Sequence, residues 1–226
     1  MRAVLTREDG RNDATRSWLP AGWSVSEVPA TTTRYEEPAD VAAAAAAGGP
    51  YRWVVVTSAR AARYARLAPG ARVAAVGPAT AAALEELGTA CAVVGDAGAL
   101  ALAAAIDEGP VLVLAARGGR RELAEALGAR GLALSVLECY ATLPVALGAP
   151  ERARLEAADV VVVGAPSAWA VVAGSVAPDA WVVVPGETTR AAVAADHERV
   201  LVAWGPGATA ALARLAPRRG PRGGAQ

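Results

Sequence analysis

Trp53-Val54-Val55-Val56-Thr57-Ser58-Ala59-Arg60-Ala61 holds the pattern from which the rest of the chain can be read. A short apolar, β-branched run meets a pair of hydroxyl residues and then a segment of helical character. A run that is apolar on both faces suits a central strand of a parallel sheet, where helices cover both sides. Similar runs stand at Val4-Leu5, Val73-Ala74-Ala75-Val76, Val111-Leu112-Val113-Leu114, Val160 to Val163, Trp181 to Val184 and Val200-Leu201-Val202. Each leads into a Gly/Thr/Ser/Pro turn and an Ala/Leu/Arg-rich helical pattern. One such pattern, Ala79 to Leu87, stops at Gly88, where a left-handed cap is expected. The alternation predicts α/β architecture built on parallel sheets.

The chain then repeats itself. Leu5-Thr6-Arg7 to Thr31 resembles Leu114-Ala115-Ala116 to Tyr140, and Val54-Val55-Val56-Thr57-Ser58 matches Val161-Val162-Val163-Gly164-Ala165. Val76-Gly77-Pro78-Ala79-Thr80 matches Pro185-Gly186-Glu187-Thr188-Thr189, and Gly95-Asp96-Ala97-Gly98 leads a helix as Gly205-Pro206-Gly207-Ala208 does. Four anchors keep one order at separations between 107 and 110 residues. This is a duplicated α/β unit in two copies rather than a solenoid. Two such domains facing each other are expected to leave a cleft between them, a common place for a ligand.

Composition narrows the function. Of 226 residues 54% are hydrophobic and 19% charged, with a formal net charge of zero, which excludes a disordered chain. A neutral chain also lacks the positive field that attracts phosphates, so no nucleic-acid partner is expected. All 22 basic residues are arginine, which removes lysine Schiff-base chemistry and any P-loop lysine. The single histidine, His197, rules out a histidine metal cluster. It sits in the charged run Asp196-His197-Glu198-Arg199 and is expected to be a solvated turn residue. No GxSxG elbow accompanies it. Cys91 and Cys139 lack CxxC spacing and are expected to be free thiols of a reducing compartment. Charge arrives after three apolar residues at the amino terminus, so no signal peptide is expected. The uncharged stretch from Val160 to Pro178 is long enough for a membrane span, but Gly164, Pro166, Ser167, Gly174 and Ser175 interrupt it. A buried strand, a turn and a short helix are expected there, in a soluble, cytoplasmic, monomeric protein with no membrane partner.

Strand–turn–helix junctions present backbone N–H groups to anions and polar ligands. Here they are Thr6-Arg7, Thr57-Ser58-Ala59, Gly77-Pro78-Ala79-Thr80, Arg117-Gly118-Gly119-Arg120, Ala165-Pro166-Ser167 and Gly186-Glu187-Thr188-Thr189. They are rich in hydroxyls, glycine and arginine and poor in carboxylates, which suits a polyanionic ligand without a metal. Each Ser or Thr has a second reading as a helix N-cap. The Arg117 to Arg121 turn reads equally as a solvated basic turn or as a carboxylate-binding one. The tail from Pro217 on, rich in Arg and Gly, is expected to be disordered.

The ordered set of these motifs resembles the uroporphyrinogen-III synthase family. It comprises the opening strand ending Thr6-Arg7, then Val56-Thr57-Ser58-Ala59-Arg60-Ala61 and Val76-Gly77-Pro78-Ala79-Thr80-Ala81. Gly118-Gly119-Arg120 with Leu123, Glu138-Cys139-Tyr140, Pro166-Ser167-Ala168 and Gly186-Glu187-Thr188-Thr189 follow in the family's order. The resemblance implies two flavodoxin-like domains joined by two extended strands, with crossings near Pro29–Tyr35 and Glu138–Pro144. Residues 1–32 with 143–216 would form one domain and 33–142 the other. It implies a cofactor-free lyase that closes hydroxymethylbilane, a linear tetrapyrrole with eight carboxylates, into uroporphyrinogen III. Water is lost and the terminal pyrrole ring is inverted, through a spiro intermediate. Thr6, Arg7, Thr57, Ser58, Gly77, Thr80, Gly118, Gly119, Arg120, Ser167, Gly186, Thr188 and Thr189 would bind that substrate. Tyr140 would hydrogen-bond the departing hydroxyl or position the terminal ring, or else pack the hinge alone. Three departures stand out: Gly164-Ala165 in place of a hydroxyl pair, Ala115-Ala116 in place of an arginine–glycine pair, and Pro185 in place of an apolar strand residue. They keep open a non-catalytic two-lobed tetrapyrrole- or anion-binding module.

Overall fold

A computed structural model describes residues 1–95, 98–119 and 121–215. Arg120 and the Arg/Gly tail lie outside the described residues. The chain opens with β1 (Arg2–Leu5), α1 (Asp13–Arg16) and β2 (Ser24–Glu27). Its middle carries β3 (Thr31–Tyr35), α2 (Pro38–Ala47), β4 (Trp53–Val56), β5 (Arg72–Ala75), α3 (Pro78–Glu86), β6 (Val93–Val94), α4 (Ala99–Ala105), β7 (Val111–Ala116), α5 (Glu122–Ala129) and β8 (Leu134–Pro144). The last part adds α6 (Ala149–Glu156), β9 (Val160–Val162), α7 (Pro166–Val172), β10 (Trp181–Val184), α8 (Glu187–Ala194), β11 (Val200–Val202) and α9 (Thr209–Leu212). Two compact units result: Met1–Thr32 together with the chain from Leu143 on, and Thr33–Thr142.

The first unit holds a sheet in the order β2-β1-β9-β10-β11, every neighbour pair parallel. Counted along its own chain this is 2-1-3-4-5, the flavodoxin-like order. Its central strands β9 and β10 are apolar on both faces because helices cover both. Val4, Val161, Val163, Val182 and Val184 pack on one side with Leu155 of α6, Trp169 of α7 and Val193 of α8. Leu5, Val160, Val162 and Val183 pack on the other with Trp18 and with Leu212 of α9. Val160 to Val163 are fully buried, each such side chain contributing about 1.5–3 kcal/mol of transfer free energy.

The second unit has the order β3-β8-β7-β4-β5-β6. The internal repeat explains it. Replacing each strand of the first sheet by its repeat equivalent turns β2-β1-β9-β10-β11 into β8-β7-β4-β5-β6. The second sheet is therefore the same arrangement with its chain entry permuted, and β3 is added beyond β8. Val54, Val56, Val73, Leu112 and Leu114 face one side of it, and Trp53, Val55, Ala74, Val111 and Val113 the other.

The stretch from Ala59 to Leu67 winds as a 3-10 helix. Its residues have a period of three: Arg60, Arg63 and Arg66 line one face, and the buried Ala61, Ala62, Tyr64 and Ala65 fill the others. Three residues per turn matches the 3-10 geometry. The uncharged Val160 to Pro178 stretch folds as β9, a turn, α7 and a short 3-10 turn. Among the described residues no helix is long and apolar enough to cross a membrane. Gly88 follows α3 at φ +67°, the left-handed conformation that glycine adopts at least cost. His197 corrects the expectation of a solvated turn: it is 7% exposed, its Nε2 lies 2.9 Å from the Ala180 carbonyl, and its ring stands edge-on to Trp169. The turn after α8 folds under Trp169, whose indole N–H donates to Asp196 at 2.9 Å. That burial comes from tertiary packing, which a charged local sequence does not reveal.

Candidate functional site

In an open parallel sheet a ligand is expected outside the carboxyl ends of the strands, at the switch point where connections leave in opposite directions. The second unit has its switch between β4 and β7. Thr57, directly after β4, closes it: both its N–H (3.2 Å) and its hydroxyl (2.8 Å) donate to the Leu114 carbonyl of β7. The first unit has its switch between β1 and β9. There Thr6 donates its N–H (3.2 Å) and hydroxyl (2.9 Å) to the Val162 carbonyl. Under the repeat, Thr6 corresponds to Ala115 and Thr57 to Gly164. Each unit keeps one threonine clasp, from opposite strands of the equivalent pair, so the two alanine or glycine departures stand where the other unit has its clasp.

Tyr140 owes its position to a β-bulge. β8 runs beside β7 in regular register up to Ala115 opposite Glu138, then skips Cys139 and places Tyr140 opposite Ala116. An extra residue re-aims the next side chain. Without it, alternation would send Tyr140 to the face opposite Leu137 and Cys139. With it, all three join the packing of the same face. The Tyr140 ring is 5% exposed and stands 6.3 Å from that of Tyr35. Its hydroxyl donates to Ser58 Oγ at 2.8 Å. Ser58 Oγ also accepts the Ala61 N–H at 3.3 Å, capping the 3-10 segment. Tyr64, three residues on, is buried and donates its hydroxyl to the Glu36 carbonyl at 2.5 Å; burial pushes its phenol up.

Beside Tyr140 an open cavity of about 1080 Å³ lies at the carboxyl ends of the strands. Thr57, Ala115, Ala116, Gly119 and Tyr140 line it with the first turn of α4 and the length of α5. Among the described lining residues the charged groups are Glu122 and Glu125, and none is basic. The first arginine of the glycine turn is exposed and paired within the protein: Arg117 pairs with Glu36 at 2.6 Å and lies 3.9 Å from Glu138. Its turn is tight. Gly118 sits at φ +63° and donates its N–H to Glu138 at 3.0 Å, and a Cβ on Gly119 would come within 3.0 Å of the Ala116 carbonyl.

The other expected contacts fall into two groups, one per unit. In the second unit Gly77 is the N-cap of α3, and Thr80, in its first turn, is 4% exposed. In the first unit Gly186 caps α8, Thr189 is likewise 4% exposed, and Thr188 and Ser167 are exposed on the first turns of α8 and α7. Arg7 is half-buried; a Cβ built on Gly164 would lie 3.6 Å from both the Arg7 stem and the Trp204 ring. Thr6 is fully buried, so its hydroxyl belongs to the clasp. Among the described residues no group of three His, Cys, Asp or Glu side chains could hold a metal ion. The feature that sequence reading missed is the acidic wall. Glu122 and Glu125 look like ordinary first-turn carboxylates favoured by the helix dipole, and only the fold turns them toward a cavity.

Fold and site together define a two-unit, doubly wound α/β protein with hydroxyl- and glycine-rich strand ends. The family model described as uroporphyrinogen-III synthase HemD matches residues 19–215, and the chain belongs to that family. Its role lies in tetrapyrrole biosynthesis, as a lyase. The chain is similar to uroporphyrinogen-III synthetase from Helicobacter pylori, at 16% identity and a TM-score of 0.65, over 94% of this chain and 98% of that one. It is also similar to a mutant uroporphyrinogen III synthase from the extremely thermophilic bacterium Thermus thermophilus, at 18% identity and a TM-score of 0.60, over 93% and 96%. No curated protein matches it.

Proposed function

We propose that this chain converts hydroxymethylbilane into uroporphyrinogen III, with Tyr140 as the catalytic group. The observation that carries the reading is the phenol of Tyr140 at the wall of a large cavity, in a chain that belongs to this family. Tyr140 transfers its proton to the hydroxyl on the terminal carbon of the linear substrate. The C–O bond breaks, water departs with the bonding pair, and the exocyclic carbon becomes a cation conjugated with its pyrrole. The acidic wall of Glu122 and Glu125 favours that charge. The terminal ring attacks at its substituted carbon, giving the spiro intermediate. Rearrangement to the inverted macrocycle releases a ring proton, which restores the phenol. The leaving step is intrinsically easy, so the protein's main task is holding the chain so that inverting closure outruns direct closure.

The substrate's carboxylates need donors elsewhere. The N–H groups at the first turns of α3 and α8, with Arg7, Ser167 and Thr188, are our candidates, while the N–H groups of Gly118 and Gly119 are given to Glu138 and Ala116. Arg120, Thr57, Thr80 and Thr189 belong to the same proposed set. We read the protein as a cytoplasmic monomer divided into 1–32 with 143–216 and 33–142. Two thiols left unbridged support a reducing compartment.

The test is an assay with hydroxymethylbilane. Uroporphyrinogen III above the spontaneous isomer I is expected. Tight tetrapyrrole binding with isomer I alone would leave the chain a binding module and reject the proposal.

A further inference from the structure

Ser58 stands in the motif that would contact substrate, yet its hydroxyl is committed inside the protein. Its oxygen accepts two hydrogen bonds, from the Ala61 N–H at 3.3 Å and from the Tyr140 hydroxyl at 2.8 Å. Ser58 is held at φ −163°, ψ 158° as the N-cap of the 3-10 segment, so its side chain is anchored at both ends of that hydrogen-bonded set. A serine hydroxyl has one proton to give and two lone pairs. Both lone pairs are taken, and its proton remains. Tyr140, by contrast, lines the cavity but points its proton at Ser58 in the resting arrangement.

We infer that Ser58 is a positioning residue that acts through Tyr140 and reverses the hydrogen bond between them during turnover. The inference rests on the catalytic role proposed for Tyr140. When the substrate hydroxyl enters, the Ser58 proton rotates onto Tyr140 Oη, and the phenolic proton turns to the cavity. Proton transfer then breaks the Tyr140 O–H bond, the departing oxygen leaves as water, and Ser58 donates to the resulting phenolate. The ring proton released at closure returns to Tyr140. The Ala61 N–H keeps Ser58 Oγ fixed throughout, so only hydrogens move. Neither hydroxyl could do this alone: the cap fixes Ser58, and the bulge at Cys139 brings Tyr140 to it.

The experiment compares Ser58→Ala, Ser58→Thr, Tyr140→Phe and the double variant. Ser58→Ala is expected to lower kcat for isomer III by about tenfold with little change in KM, below the range of direct general acids because Ser58 acts through Tyr140. Ser58→Thr, which keeps the hydroxyl on an extended backbone, should recover most of the rate. In the Tyr140→Phe background, Ser58→Ala should add less than about twofold, since both changes cut one pathway. Losses that multiply, or a raised KM at unchanged kcat, would overturn the inference and make Ser58 a direct substrate contact. A second readout needs no turnover. The 13C resonance of the Tyr140 ring carbon bearing the hydroxyl, assigned by its loss in Tyr140→Phe, should move in Ser58→Ala and return in Ser58→Thr. A resonance that stays put would refute the coupling. Wild-type protein that forms only isomer I would instead reject the proposed function, leaving the hydrogen bond to be decided by this resonance alone.

Discussion

The threonine clasps allow a sharp energetic prediction, because the two are near copies in geometry and differ in burial. Thr6→Val replaces the hydroxyl by a methyl of similar size and deletes a 2.9 Å bond to the Val162 carbonyl in a fully buried position. That carbonyl still accepts the Thr6 N–H at 3.2 Å, so it is not orphaned and the full desolvation cost does not arise. The expected loss is about 1 kcal/mol, the net worth of one buried hydrogen bond. Thr57→Val deletes the matching 2.8 Å bond to Leu114, but in a half-buried position beside the cavity where water can replace it. About 0.5 kcal/mol is expected there. Native-state amide exchange separates the two, since each unit has its own core. Thr6→Val should speed exchange about fivefold, the equivalent of 1 kcal/mol, in β1 and β9. Thr57→Val should act on β4 and β7 by about twofold. The melting temperature should fall by roughly 2–4 °C for Thr6→Val in a chain of this size. A Thr6→Val loss above about 2.5 kcal/mol, or unchanged exchange in β1 and β9, would show that the clasp has been misread.

Tyr140→Phe should slow formation of isomer III by roughly 10- to 100-fold, scaled down from the usual range because the substrate loses its hydroxyl readily. Circular dichroism should show the same fold. Tyr64→Phe should instead cost about 1 kcal/mol of stability, measured by urea unfolding, through the lost bond to the Glu36 carbonyl, and should leave the isomer ratio alone. Burial pushes the Cys139 thiol up to about 11 and raises that of Cys91. The folded chain therefore favours the neutral thiol, a stabilisation that is complete below the unfolded value near about 8.5 and lost as pH rises toward 11. The urea midpoint of the wild type should fall across that window, and Cys139→Ala should flatten the fall. Gly88→Ala should cost about 1–2 kcal/mol, checked by thermal melting, because alanine is strained at φ +67° and its Cβ would meet Arg66 at 2.9 Å.

The α/β class and the duplication were legible in the sequence, and the reason is periodicity. Runs such as Trp53 to Val56 are apolar at every position because helices cover both faces of the strand, and that requirement acts residue by residue. The four repeat anchors also relate the two sheets, since mapping the first onto its repeat equivalents reproduces the order of the second apart from β3. The segment after Ser58 was legible only as helical, and its 3-10 winding came from the structure. The site was legible only as a set of residues. Thr6, Thr57 and Ser58 were identifiable as hydroxyls at strand ends, but whether each faced a ligand or another part of the protein depended on long-range partners. Thr6 meets Val162, 156 residues away, and Ser58 meets Tyr140, 82 away. The pairing of Arg117 with Glu36, the burial of His197 under Trp169 and the acidic wall of the cavity are of the same kind. The bulge at Cys139 is the clearest case, because a strand's composition specifies that its side chains alternate but not where the alternation slips. That slip is set by the register of β8 against β7, and it alone carries Tyr140 to the face where Ser58 waits.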